Sequence, residues 1–436
     1  MKTPVCDFLD GYAQSGLTRL HMPGHKGQGA LEKLDITEVE GADVLYHAKG
    51  ILAQSQANAA ALFGAAKTLY SVEGSSLVIR AMVYLTRLYA GRKPVIAAGR
   101  NAHKSFVTAA ALLDAQVLWL WPKEQKDLLS CQVTPQVLDG FLQSHAVDAV
   151  YITSPDYLGN MVDIRGLSQV CHQHGVLLLV DNAHGAYLRF LEQSLHPMDL
   201  GADLCCDSAH KTLPVLTGGA YLHIAAEGFF ADYAENAMRL FASTSPSYLI
   251  LRSLDRCNQY LSQGYGKRLF QCIARLGDLK KRLTAAGYDL EGTEPLKLTI
   301  ASKAYGYTGT QLAEVLLEKH MVCEFSDPDY VVLMLTPENS EAEIASLEAA
   351  LLALPRKAPV VERMPIMAQP EKAMSMQEAM MQPGKNLPID QCVGKVLTSP
   401  TVSCPPAIPV LVCGERVSQD AVTVMKYYGI ESLYVI

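Results

Sequence analysis

The chain has 436 residues, enough for two or three domains with a full apolar core. Its formal net charge is -7 and its basic residues are scattered, which argues against a nucleic-acid surface. Eleven cysteines with no CxxC pair suit reduced thiols rather than a disulfide framework, and no apolar run is long enough to span a bilayer. A cytoplasmic protein with neither a nucleic-acid nor a membrane partner is expected.

The opening stretch, MKTPVCDFLDGYAQ, lacks the apolar core of a signal peptide. Residues 1–65 read as an N-terminal arm rather than a domain. HMPGHKGQG (21–29) is too rich in Gly and Pro for a helix and is expected as an irregular loop. Pro23-Gly24 also denies His21 and His25 the helical face that a zinc pair would use. Residues 51–63 have helical composition and period.

From residue 66 strands alternate with helices. Apolar runs at Val95–Ala98, Val117–Trp121, Ala149–Thr153, Val176–Val180, Leu204–Cys206 and Ala220–Ile224 are continuous rather than alternating. Such strands are covered on both faces, which predicts an α/β domain with a mostly parallel sheet. Helices are expected at Leu77–Tyr89 and Gly166–His174. In such sheets functional groups collect in the loops beyond the strands' carboxyl ends.

A short strand at Thr68–Val72 is followed by Glu73-Gly74-Ser75-Ser76, which is either a Ser-capped helix start or a phosphate cradle. Asp181 follows five apolar residues, and burying its carboxylate demands a partner. Lys211 lies in GADLCCDSAHKTLPVLTGGAYL (201–222), between two apolar strands. Its stem either snorkels to water or leaves a desolvated, nucleophilic amine. A lysine, an acid one strand–helix unit earlier, an imidazole and a phosphate cradle together match pyridoxal phosphate. That cofactor needs a Schiff-base lysine, an acid at its ring nitrogen, a flat group over the ring and phosphate donors.

The stretches HMPGHKG (21–27), DITEVEGADVLYHAKG (35–50), RNAHKS (100–105), SPDYLGN (154–160), DNAHGAY (181–187), SAHKTLPVLTGGAYLH (208–223), STSPSYLILRSLD (243–255) and CPPAIPVLVCGE (404–415) resemble the bacterial Orn/Lys/Arg decarboxylases. These enzymes have the aspartate-aminotransferase type of PLP fold (fold type I), with a large PLP-binding domain and a smaller α/β domain. The resemblance implies that Lys211 carries the cofactor and that Asp181 keeps the pyridine nitrogen protonated. Ala183 would lie against one ring face and His103 would stack on the other. Gly74, Ser75, Ser76 and Ser208 would hold the phosphate, with His210 at the phosphate or the substrate carboxylate and His184 close to the ring. Ser243 and Thr244 match a segment that in the family reaches a neighbouring subunit's phosphate, which implies a homodimer or a larger homo-oligomer.

Departures from the family pattern are Asn182 in place of Glu, Tyr187 where a second His is common, Glu73 in place of Asn and Asp156 in place of Thr. Ala407 and Cys413 replace a Gly and a Pro. The implied reaction is decarboxylation of lysine, arginine or ornithine to the amine, with His210 or Lys211 returning a proton to the α-carbon. Transamination, or a degenerate PLP-fold binding or regulatory protein, is the alternative. Tyr157 and Glu415 are the candidate substrate contacts, Glu415 being either the partner of a far cationic group or a surface acid.

The domains expected are the arm (1–65), a PLP-binding large domain (66–285), a small α/β domain (286–360) and a C-terminal segment completing it (361–436). Residues 257–285 read as one long amphipathic helix. In the small domain Leu296–Ala301, Met321–Phe325 and Tyr330–Leu335 read as strands, and Thr310–Lys319 and Ala342–Leu352 as helices. Six of the fifteen methionines fall in 364–381, which suits adaptable packing.

Overall fold

The computed structural model describes residues 1–121, 130–404 and 408–436, so Ala407 lies outside the described residues. The chain divides into two compact units, Met1–Arg92 with Ile164–Arg268, and Lys93–Asp163 with Leu269–Ile436. In chain order the first seven strands are β1 Lys67–Ser71 in the first unit, β2 Val95–Gly99, β3 Gln116–Leu120 and β4 Ala149–Thr153 in the second, and β5 Leu177–Asp181, β6 Leu204–Asp207 and β7 Ala220–Ile224 in the first.

In the first unit the order is β1-β7-β6-β5. Strands β5 and β6 run parallel, with Asp181 opposite Cys206, and β7 is antiparallel to both β6 and β1. In the second unit β2 lies between β4 and β3, all parallel. Every residue of β6 and β7 is buried, including the polar Asp207 and His223 among otherwise apolar residues. The strands and helices expected here are present, two strands with the expected ends and the other elements with ends shifted by up to three residues.

The first unit contains the helix Gly74–Ala90, closed by Gly91 in the left-handed region at φ 64°. The opening segment folds as a helix, Pro4–Gln14, with Pro at its start. Its Val5 and Cys6 N–H groups both donate to the buried Asp255 carboxylate at 3.0 Å. The long helix expected at 257–285 is instead two helices, Tyr248–Ser262 and Tyr265–Ala285. Between them Gly264 takes φ 74°, a conformation that ends the first helix.

The second unit adds a four-stranded antiparallel sheet of β8 Asp289–Glu291, β9 Lys297–Ala301, β10 Phe325–Ser326 and β11 Tyr330–Met334, in the order β10-β11-β9-β8. The strand expected at Met321–Phe325 shrinks to β10. His320 has a positive φ and the Met321 N–H bonds the Leu316 carbonyl, so these residues close the helix Gly309–Glu318 rather than extend. Val332, Leu397, Val410, Val422 and Met425 pack into one apolar core. Of the methionine-rich stretch, Met367 and Met376 are buried and Met381 is exposed. Among the described residues no helix is long and apolar enough to cross a membrane.

Candidate active site

Parallel pairing of β5 with β6 brings Asp181 and the start of Ser208–Lys211 out at the same sheet end. Asp181 is 2% exposed. Its Oδ1 accepts the Ala183 N–H at 3.2 Å and the Cys206 thiol at 3.3 Å. Burial, then the Asp181 charge, pushes the Cys206 thiol well up, so it stays a protonated donor. The sequence alone gives Cys206 no role beyond its apolar run. Its place opposite Asp181 in the neighbouring strand is the signal that finds it.

Lys211 lies in a one-turn helix, Ala209–Thr212. Its side chain is half-buried rather than enclosed, and Nζ stands 3.0 Å from His184 Nε2. His210 Nδ1 lies 3.0 Å from the Gly219 carbonyl, and its backbone N–H reaches the same oxygen. A carbonyl only accepts, so the imidazole carries its proton at Nδ1, which fixes the ring with Nε2 directed elsewhere.

At the start of Gly74–Ala90, Gly74 takes φ 72° and its N–H bonds the Gly218 carbonyl at 2.7 Å. The Ser208 hydroxyl donates to the Ser75 hydroxyl at 2.8 Å, so two donors from different elements meet at this helix N-terminus. The Glu73 side chain makes no cap bond there. Its Oε1 accepts the Ser243 N–H at 2.7 Å, which engages the acid with the backbone of the segment carrying the exposed Ser243 and Thr244. The donor set therefore fits pyridoxal phosphate: an amine, a buried acid, and hydroxyls with helix N–H groups for a dianion.

Two departures from the family pattern have structural partners. Asn182 Nδ2 donates to Asp207 Oδ1 at 2.6 Å. Asp156, in the second unit, accepts from the Asn160 N–H at 2.8 Å and from Asn160 Nδ2 at 3.1 Å, while its carbonyl accepts from Lys297 Nζ at 2.8 Å. Its burial pushes the carboxyl up.

The remaining expected residues lie in the second unit. His103 caps the helix Lys104–Leu112, its Nδ1 accepting the Ser105 N–H at 3.2 Å. Tyr157 packs edge-on against Phe325 at 5.7 Å, and its hydroxyl donates to Glu324 at 3.3 Å. Glu415 is neither a surface acid nor open to a substrate cation. It is 5% exposed, and its Oε2 takes Arg100 Nη2 at 2.9 Å and the Val412 N–H at 2.9 Å. Burial pushes its carboxyl up against the pull of Arg100. Arg100, which sequence reading passed over, also lies 4.9 Å from the rings of Trp119 and Trp121.

Known proteins resemble this chain in sequence and fold. The Orn/Lys/Arg decarboxylase major domain matches residues 3–292, and the Orn/Lys/Arg decarboxylase C-terminal domain matches residues 358–432. An arginine decarboxylase of Halalkalibacterium halodurans is 29% identical over 456 residues, covering 96% of this chain and 92% of that protein. An arginine decarboxylase of Bacillus anthracis is 27% identical, covering 96% and 91%. The Francisella novicida lysine decarboxylase structure superposes with a TM-score of 0.82 at 16% identity, covering all of this chain and 81% of that one. The fold is therefore that of PLP fold-type-I enzymes with a C-terminal domain. From its major and C-terminal domains alike, the chain belongs to the Orn/Lys/Arg decarboxylase family and is a pyridoxal phosphate-dependent amino-acid decarboxylase.

Proposed function

We propose that the enzyme removes the α-carboxylate of a basic amino acid (lysine, arginine or ornithine) as carbon dioxide and releases the corresponding amine. The observation that carries this reading is the Lys211 amine and the buried Asp181 carboxylate at the ends of two adjacent parallel strands, with the Ser75–Ser208 hydroxyl pair in the same unit. The relatives named arginine decarboxylase favour arginine among the three.

When bound, pyridoxal phosphate supplies the electron sink into which the Cα–carboxylate bond breaks. Lys211 would hold it covalently, and Asp181 would keep its ring nitrogen protonated by opposite charge. Gly74, Ser75, Ser76 and Ser208 would grip its phosphate, with Ser243 and Thr244 doing so for a neighbouring subunit of a homo-oligomer. By the family resemblance, Ala183 would leave room against the ring and His103 would supply a flat group. His184, 3.0 Å from the Lys211 amine, would accept its proton and leave it nucleophilic. His210 or Lys211 returns a proton to the α-carbon.

The test is a screen of lysine, arginine and ornithine for carbon dioxide and amine, with the enzyme loaded with cofactor. Release from one of the three is expected. Consumption of a 2-oxo acid acceptor without carbon dioxide would point to transamination instead.

A further inference from the structure

Outside the residues assigned above, the first unit holds a fully buried cluster: His196, Asp207 and His223, each 0% exposed. Asp207 ends β6 and directly precedes Ser208–Lys211. One of its oxygens, Oδ2, accepts from His196 Nε2 at 2.9 Å and His223 Nε2 at 3.2 Å. The other accepts from Asn182 Nδ2 at 2.6 Å, and Asn182 is the neighbour of Asp181.

The neighbours of each imidazole fix its tautomer. His196 Nδ1 accepts the Met198 N–H at 3.3 Å, so its proton sits on Nε2. His223 Nε2 faces the Asp207 carboxylate, which only accepts, so its proton too sits on Nε2 and Nδ1, 2.9 Å from the Thr68 hydroxyl, is left to accept from it. Both rings therefore offer N–H rather than a lone pair to the carboxylate, which is the pattern of a hydrogen-bonded anion and not of a metal site. Burial opposes the Asp207 charge, but the two imidazoles outweigh it and hold the carboxyl well below its ordinary value. Aromatic packing closes the cluster: the Phe63 ring lies 4.5 Å from His223 and 5.4 Å from His196.

We infer that Asp207, through His196, His223 and Asn182, is the positioning residue that sets the relative placement of Asp181 and Lys211. One carboxylate ties the loop after β5, the segment after β6, β7 and the His196 turn to a single point. Asn182 is thereby explained, because a Glu at that position would set a second carboxylate against Asp207 in a dry site. The space is also filled: a Cβ on Gly185 would stand 1.9 Å from Asn182 Oδ1. This inference rests on the proposed roles of Asp181 and Lys211.

The experiment compares Asp207→Asn, Asn182→Asp and the exchanged double variant, each as holoenzyme, against the wild type. Asn182→Asp faces two carboxylates with each other. The exchange restores one carboxylate and one amide at the same two positions. In each single variant kcat is expected to fall by about 10²-fold, the cost of misplacing a reacting group by about 1 Å, with KM little changed. The pH midpoint of the bound cofactor's visible band is expected to shift in the same variants, and the exchange to recover both.

Single variants that lower Tm but keep the wild-type kcat and visible-band midpoint would overturn the inference, as would an exchange no better than the worse single. Should Asp207→Asn yield no folded protein, the exchange and His196→Gln, which keeps an N–H donor, decide by the same readouts. A wild-type enzyme that binds no cofactor would sink the proposed function itself, and so is told apart from failure of the positioning role.

Discussion

Asp181 and Glu415 are both buried carboxylates next to a recognisable motif, and their hydrogen-bond partners differ in charge. Asp181 accepts from an amide N–H and a thiol, both neutral donors that favour its ionised form. Glu415 is neutralised by Arg100. Asp181→Ala is therefore expected to retain some cofactor yet lose turnover by at least about 10²-fold in kcat, as when a preorganised electrostatic partner is removed. An unchanged kcat would remove the role. Glu415→Gln strands the Arg100 charge and should cost about 3–5 kcal/mol in urea unfolding. A raised KM at undiminished stability would instead mark Glu415 as a substrate group. The burial of Asp181 was legible because five apolar residues precede it. The Arg100–Glu415 pair was not, because its members lie 315 positions apart and no local pattern reports such a pair.

At the scale of elements, the strands were legible because burial on both faces leaves an unbroken apolar run, and the loops beyond them carried the motifs. What stayed hidden was side-chain coupling between neighbouring strands, such as Cys206 with Asp181 and Asn182 with Asp207. Helix breaks also escaped, because the amphipathic period runs on past Gly264 while the backbone turns there. The helix Gly74–Ala90 makes its own prediction. Ser75→Ala and Ser208→Ala should each weaken cofactor binding by about 10- to 100-fold, the worth of a hydrogen bond to a charged group. Because the two hydroxyls bond each other, the double variant should lose less than the product of the single losses. Titration of cofactor into the apoenzyme checks both, and fully multiplicative losses would show that the hydroxyls act separately.

For the molecule as a whole, the buried cluster sets a response to acid. Burial holds His223 below its ordinary imidazole value despite the Asp207 carboxylate it bonds; His196, Thr68, Tyr221 and Phe63 also surround it. The unfolded chain therefore takes a proton that the folded one refuses. The contribution of this group to stability is complete above about pH 6.5 and is lost as pH falls, by up to about 1.4 kcal/mol per pH unit. Glu415 and Asp156, raised by burial, act with the opposite sign. Thermal unfolding of wild type and His223→Gln between pH 7 and 5 isolates the imidazole: the variant's dependence should be flatter by about one proton. Equal slopes would contradict this.

Lys211 is the residue we propose to carry the cofactor in this decarboxylase. Borohydride reduction of the enzyme incubated with pyridoxal phosphate, followed by peptide mass mapping, tests it most directly. The expected result is a reduced phosphopyridoxyl group on Lys211, absent from Lys211→Ala. A protein that stays colourless, or an adduct confined to other lysines, would contradict it.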